Sequence, residues 1–182
     1  MLNQFELCSA PITAAAYEKC DSIVLFLCKE CAPAVPQLEL PAEAAKAVEA
    51  YLAAHDDIYD VGALTSFVLP TEGGLLQLLI AGCGEGSDCK PNNFRKAAGE
   101  AARALHKAKA KQAVCAAPIL LNPQRGFYAQ ALAEGLFLGG YTFNSFKSEA
   151  KEAPLCAVKL LSSAEDSAKL VEVAEIEAEA VC

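Results

Sequence analysis

Cys28-Lys29-Glu30-Cys31 is a C-x-x-C pair, and Cys83 and Cys89 follow it further along the chain. Two closely spaced pairs form the donor set of a tetrahedral zinc site, and a single pair at a helix N-terminus lowers a thiol pKa for redox work. Here Cys83 and Cys89 stand too far apart for the second half of a zinc motif. The first pair leaves an apolar run for Ala32-Pro33-Ala34-Val35-Pro36, which does not read as a helix N-terminus. A chain of this length also folds without a metal staple. The sequence therefore predicts no metal or redox centre on these thiols.

Gly82-Cys83-Gly84-Glu85-Gly86 lies between an apolar run and a helical stretch, the place where backbone N–H groups can cradle a phosphate. A dinucleotide fingerprint starting at Gly82 needs glycine at position 87, which is Ser87, and Arg103 stands where a ribose-binding acid is expected. A tight strand-to-loop turn is the plainer reading. His55-Asp56-Asp57 with Asp60 offers acid/base or metal-binding groups but reads as a solvated loop. No G-x-S-x-G, H-E-x-x-H or P-loop sequence occurs. No residue is assigned a catalytic, cofactor-binding or metal-binding role.

The net charge of −8 repels nucleic acid and anionic membranes at long range. It is unevenly spread. Lys90 to Lys111 holds seven basic residues against Glu100, whereas Glu149 to Cys182 holds eight acids against three lysines. On the basic helix 94–109, Lys96, Arg103 and Lys107 share a flank that could face phosphates or an acidic partner, but no aromatic residues interleave to stack bases. A solvated face is expected, and nucleic acid is not an expected partner.

The apolar fraction of 54% and mean hydropathy of +0.26 owe much to alanine, which favours helix and buries little area. No apolar run approaches the length that spans a bilayer, and Met1 to Glu6 lacks the basic and apolar regions of a signal peptide. A cytoplasmic location without membrane contact is expected. Nine scattered cysteines then read as reduced thiols, with Cys8, Cys28, Cys115 and Cys156 packing as small hydrophobes.

Ile23 to Cys28 is continuously apolar and predicts a central strand covered on both faces. Pro41 opens a helix over 42–54. Ser66 to Leu69 and Leu75 to Ala81 flank the turn-rich Pro70 to Gly74 and predict a β-hairpin. A helix follows with Phe94, Ala98, Ala101, Leu105 and Ala108 on its apolar stripe and Asn92 or Asn93 as N-cap. Ala113 to Ala117 predicts a strand, Asn122-Pro123 opens a helix that Gly139-Gly140 ends, Leu155 to Leu161 is a last strand, and helix follows from Ser163. This alternation predicts a single α/β domain, a mixed sheet with helices on both faces. Val171 to Cys182 carries no helix stop signal and reads as cut in mid-pattern.

Gly135 to Ser148, with Gly139-Gly140-Tyr141-Thr142-Phe143-Asn144-Ser145-Phe146-Lys147, resembles the segment that closes the N-terminal domain of the leucyl aminopeptidases of peptidase family M17, where the pattern is Tyr-x-Phe-Asp-x-Tyr-Lys. Asn144 and Phe146 depart from it conservatively. Asp21 to Glu30, Leu78 to Gly84 and Asn93 to Lys107 are similar, in order, to the family's early strand, Gly-x-Gly turn and Arg-Lys-Ala-Ala helix.

The resemblance implies a macro-domain-like, three-layer α/β/α sandwich over residues 1–170. Residues 171–182 would begin a linker helix to a C-terminal catalytic domain outside this chain. It also implies a homo-hexameric parent that removes N-terminal amino acids, Leu preferred, with two divalent metal ions (Zn or Mn) polarising the carbonyl and activating water. The family's metal ligands and its Asn-Thr-Asp-Ala-Glu-Gly-Arg signature belong to that other domain, so no residue here inherits a role. The domain itself would serve assembly or regulation. The competing expectation is a free-standing macro-like module that binds ADP-ribose or another nucleotide through Gly82 to Ser87.

Overall fold

A computed structural model of the chain describes residues 5–86, 89–140 and 156–181. The elements run β1 (Phe5–Ala10), β2 (Ser22–Leu27), α1 (Ala42–Ala54), β3 (Leu64–Thr71), β4 (Gly74–Gly82), α2 (Pro91–Ala108), β5 (Gln112–Ala116), α3 (Gly126–Gly140), β6 (Cys156–Leu161) and α4 (Ser167–Val181). They form one six-stranded sheet in the order β1-β6-β5-β2-β4-β3. Among the described residues, only β3, paired with β4, runs antiparallel to its neighbour.

The continuous apolar run of β2 explains its place. Every residue of the strand is buried, and alternate side chains serve two different cores. Val24 and Phe26 pack with α2, α3 and α4 on one face, while Ile23, Leu25 and Leu27 pack with α1 on the other. The result is the expected α/β sandwich of three layers.

Several boundaries differ from the sequence reading, each for an identifiable reason. β1 carries no strong run, but Phe5 and Leu7 alternate with Glu6 and Cys8, the period of a half-buried edge strand. Cys8 is therefore exposed and not a core residue, while Cys28, Cys115 and Cys156 are buried as expected. α2 begins at Pro91, whose fixed φ suits the first helical position, so Lys90 is the N-cap and Asn92 and Asn93 lie within the helix. Ala108, at its end, is exposed.

Asn122 accepts from the backbone N–H of Gln124 at 2.9 Å and caps a short 3-10 turn, Pro123–Arg125, ahead of α3. Gly139 and Gly140 belong to α3 and are packing positions: a Cβ on Gly139 would lie 2.5 Å from the carbonyl oxygen of Gly99, and one on Gly140 would strike the Phe5 ring. Pro70 is tolerated inside β3 because that strand is at the sheet edge. α4 starts at Ser167, a turn later than the Ser163 of the sequence reading, and buries Val171, Ala174 and Ala178. Residues Tyr141 to Ser148 of the family-like segment lie outside the described residues, as do Ser87, Cys182 and the first four residues.

The buried thiols make stability depend on pH. Burial, with the Asp21 charge adding to it, pushes Cys20 and Cys156 up to about 11, and burial pushes Cys115 further still. In the unfolded chain these thiols ionise near 8.5. Their contribution is complete below that value and is lost as pH rises toward their folded values, because the unfolded state sheds protons first. In excess reductant, the urea midpoint is expected to be lower at about pH 10.5 than at about pH 7.5.

Candidate functional site

The chain leaves β2 toward the α1 face, through a 3-10 segment (Lys29–Leu38) whose Val35 and Leu38 join that core. It leaves β4 for α2, which packs on the opposite face. Connections that part in this way open a crevice at the carboxyl ends of the strands, where α/β sheets take ligands. In this protein the crevice is a cavity of about 530 Å³ bounded by Cys31, Gly86, Cys89, Asn122, Arg125 and Tyr128.

Cys31 of the C-x-x-C pair lines this crevice, and Cys28 lies fully buried behind it. Cys28 is the N-cap of the 3-10 segment, and the N–H groups of Cys31 and Ala32 donate to its carbonyl oxygen at 3.1 Å. The pair thus does sit at a helical N-terminus, contrary to the sequence reading. Pro33 and Pro36 do not prevent this, because proline's φ is that of a 3-10 turn.

Cys89 arrives from the β4–α2 loop. The Sγ atoms of Cys28, Cys31 and Cys89 all lie within 4.8 Å of one another. The sequence reading weighed Cys83 and Cys89 together as the second half of a zinc set and set them aside on spacing, which does not show that Cys89 alone joins the pair from a different crossover. Cys83, in contrast, is fully buried and turns its S–H toward the carbonyl oxygen of Ala81 at 3.7 Å. Burial holds the Cys28 thiol far above its ordinary range, with Cys89 and Cys31 adding to the effect, and burial also raises Cys89.

Both arms of the crevice are tied together. The N–H of Cys83 donates to Leu27 at 2.8 Å and that of Lys29 to Gly84 at 3.2 Å. Lys29 Nζ pairs with Glu85 at 2.8 Å, and the N–H of Gly86 donates to the Glu30 carboxylate. The Tyr128 hydroxyl donates to the carbonyl oxygen of Cys89 at 2.9 Å, while the Tyr128 ring meets Phe94 edge-on at 5.0 Å.

These ties decide what the glycine loop can do. Gly82, Cys83, Gly84 and Gly86 each donate their N–H to a protein oxygen, so these groups are not presented to a phosphate. Glu30 and Glu85 add negative charge beside the loop, which disfavours an anion. Gly82 is small for a packing reason: a Cβ there would lie 2.5 Å from the carbonyl oxygen of Ile58 and closer still to that of Asp60. The tight-turn reading holds.

The other candidates do not converge. His55, Asp56, Asp57 and Asp60 are exposed, with His55 Nδ1 4.0 Å from Asp57. Lys96, Arg103 and Lys107 are exposed on α2, and Arg103 pairs with Glu100 one turn away. Sequence reasoning missed the pair that matters more to the fold, Arg95 with the nearly buried Glu134 of α3, which also accepts from Gln130 Nε2 at 3.0 Å.

With this geometry defined, the similarity to known proteins can be placed on it. Residues 24–150 match the cytosol aminopeptidase family, N-terminal domain. The chain belongs to this family. The match begins in β2 and takes in the whole crevice, α2 and α3.

A Streptomyces coelicolor protein named "Probable cytosol aminopeptidase" is 38% identical over 91 residues, covering 47% of this chain and 16% of that protein. Among solved structures, a tomato leucine aminopeptidase mutant aligns with a TM-score of 0.72 and 19% identity, covering 100% of this chain and 37% of that one. The bottromycin maturation enzyme BotP aligns at a TM-score of 0.61 and 20% identity, covering 90% of this chain and 31% of that one. At such identities the structural matches speak to the fold alone. The chain therefore spans well under half the length of these relatives. Cytosol aminopeptidase N-terminal domain is the reading that the matches support, and they give none to a free-standing nucleotide-binding module. Among the described residues, no helix is long and apolar enough to cross a membrane.

Proposed function

We propose that this chain is the non-catalytic N-terminal domain of a cytoplasmic, metal-dependent aminopeptidase that removes N-terminal residues, Leu preferred, and that it serves the assembly or regulation of a homo-hexamer. The observation that carries the reading is the match of residues 24–150 to the family's N-terminal domain. The two divalent ions of the implied reaction, Zn or Mn, call for the hard oxygen and amine donors of the catalytic domain. The trio of Cys28, Cys31 and Cys89 is all sulfur, a set that could hold one zinc-class ion but not manganese or the two-ion centre of that reaction. No step of peptide hydrolysis is routed through this chain.

Its contribution lies in contact with the rest of the enzyme. α4 supports this, since Val173, Ile176 and Val181 lie exposed on it while its other face is packed on the sandwich. The assembly role is tested by sedimentation of the parent enzyme with and without this domain. The expected result is a hexamer for the whole chain and smaller species after deletion. An unchanged hexamer with unchanged kinetics would remove the proposed role.

A further inference from the structure

We propose that Cys28, Cys31 and Cys89 form a three-thiolate site for a thiophilic divalent cation of the zinc class, with its fourth position open to the crevice. Sulfur donors select zinc-like ions over magnesium or calcium, and C-x-x-C is the spacing with which one turn presents two thiols to a single ion. The third thiol comes from a separate crossover, and all three Sγ atoms lie within 4.8 Å of one another. A tetrahedral zinc ion with Zn–S bonds of about 2.3 Å holds its sulfurs about 3.8 Å apart. Small side-chain rotations therefore bring the trio to bonding geometry.

The surroundings are those of a held site. Cys28 is fixed at the end of β2, which is buried throughout. The turn carrying Cys31 is bound to the β4–α2 loop by Lys29–Glu85 and by Glu30 with Gly86, and Tyr128 holds the backbone of Cys89. Such second-layer contacts orient ligands before the ion arrives. Any disulfide between two of the three would leave the remaining thiol unused, whereas an ion employs them all.

On binding, each S–H passes its proton to solvent, so a dication and three thiols give a monoanionic centre and three released protons. Arg125 lines the same cavity and brings a positive charge to it, beside the Glu30 carboxylate, which is engaged by the N–H of Gly86. The fourth position opens on the cavity, where water completes the shell. The proposal does not depend on the aminopeptidase reading.

The test uses the 182-residue chain, reduced and freed of metal by chelation. Zinc titrated calorimetrically is expected to bind at one ion per chain. Zinc-edge X-ray absorption is expected to show three sulfurs at about 2.3 Å. Cys31→Ser and Cys89→Ser, at partly exposed positions that the fold tolerates, are expected to weaken binding by about 100-fold or more. Cys8→Ser, on the exposed edge strand, should leave it unchanged. Circular dichroism of each variant separates loss of binding from loss of fold. A chain that takes up no zinc, a shell of nitrogen and oxygen only, or unchanged binding in folded Cys31→Ser would overturn the assignment.

Discussion

Gly135→Ala is expected to destabilise the domain by about 3 kcal/mol or more, although alanine is the better helix former. The propensity gain is about 1 kcal/mol. Opposing it is the closeness of α3 to α2. A Cβ on Gly135 would lie 2.7 Å from the Cβ of Ala98 and closer still to the carbonyl oxygen of Arg95. A backbone oxygen in a helix cannot swing aside, so the two helices must separate. Separation disturbs Gly139 against Gly99 and the Arg95–Glu134 pair, and leaves Glu134 nearly buried with a weakened partner. Gly73→Ala is the control. Its Cβ would meet only the Thr71 hydroxyl at 3.9 Å, and the expected change is within about 0.5 kcal/mol. Urea denaturation of both variants measures the difference.

Phe26→Ala is expected to cost about 3–5 kcal/mol. Phe26 sits at the middle of the sheet with no exposed surface, packed in the core shared with α2, α3 and α4. Removing the ring forfeits its transfer free energy and leaves a void between a strand paired on both sides and helices already in close contact. Neither wall can collapse to fill it. For a domain of this size, such a loss lowers Tm by about 6–20 °C, which thermal unfolding monitored by circular dichroism would measure.

Most of the fold was legible because its strongest elements obey one period over many residues. Ile23 to Leu27 announces a two-faced strand by having no polar position, and α2 announces itself through Phe94, Ala98, Ala101 and Leu105. The hairpin of β3 and β4 was equally clear, with Thr71 opposite Gly74 around a short turn. The differences fall where a residue has two meanings. Gly139 and Gly140 read as a helix stop, and α3 is described up to Gly140, but they are also gaps into which a neighbouring helix and the Phe5 ring fit. Pro33 and Pro36 read as breakers of regular structure, whereas a 3-10 turn accepts their φ.

The crevice was the least legible part. Cys28 and Cys31 were visible as a pair, but Cys89 joins them only through the parallel pairing of β2 with β4, which sets the ends of those strands side by side. No local spacing encodes that meeting. The glycine loop was ambiguous for the converse reason. Its residue types suit a phosphate, and only the hydrogen bonds to Leu27, Tyr59, Ala63 and Glu30 reveal that its N–H groups are already engaged. Family-like motifs bridged part of this distance, since their order along the chain carries topology that periodicity lacks.

In the proposed function this domain supports peptide hydrolysis without performing it. The most direct measurement is release of chromophore from a leucyl chromogenic substrate by the isolated chain, with manganese or zinc added, beside a longer chain that includes the catalytic domain. No turnover above buffer is expected for the isolated chain, and metal-dependent turnover for the longer one. Metal-dependent hydrolysis by the isolated chain would contradict it.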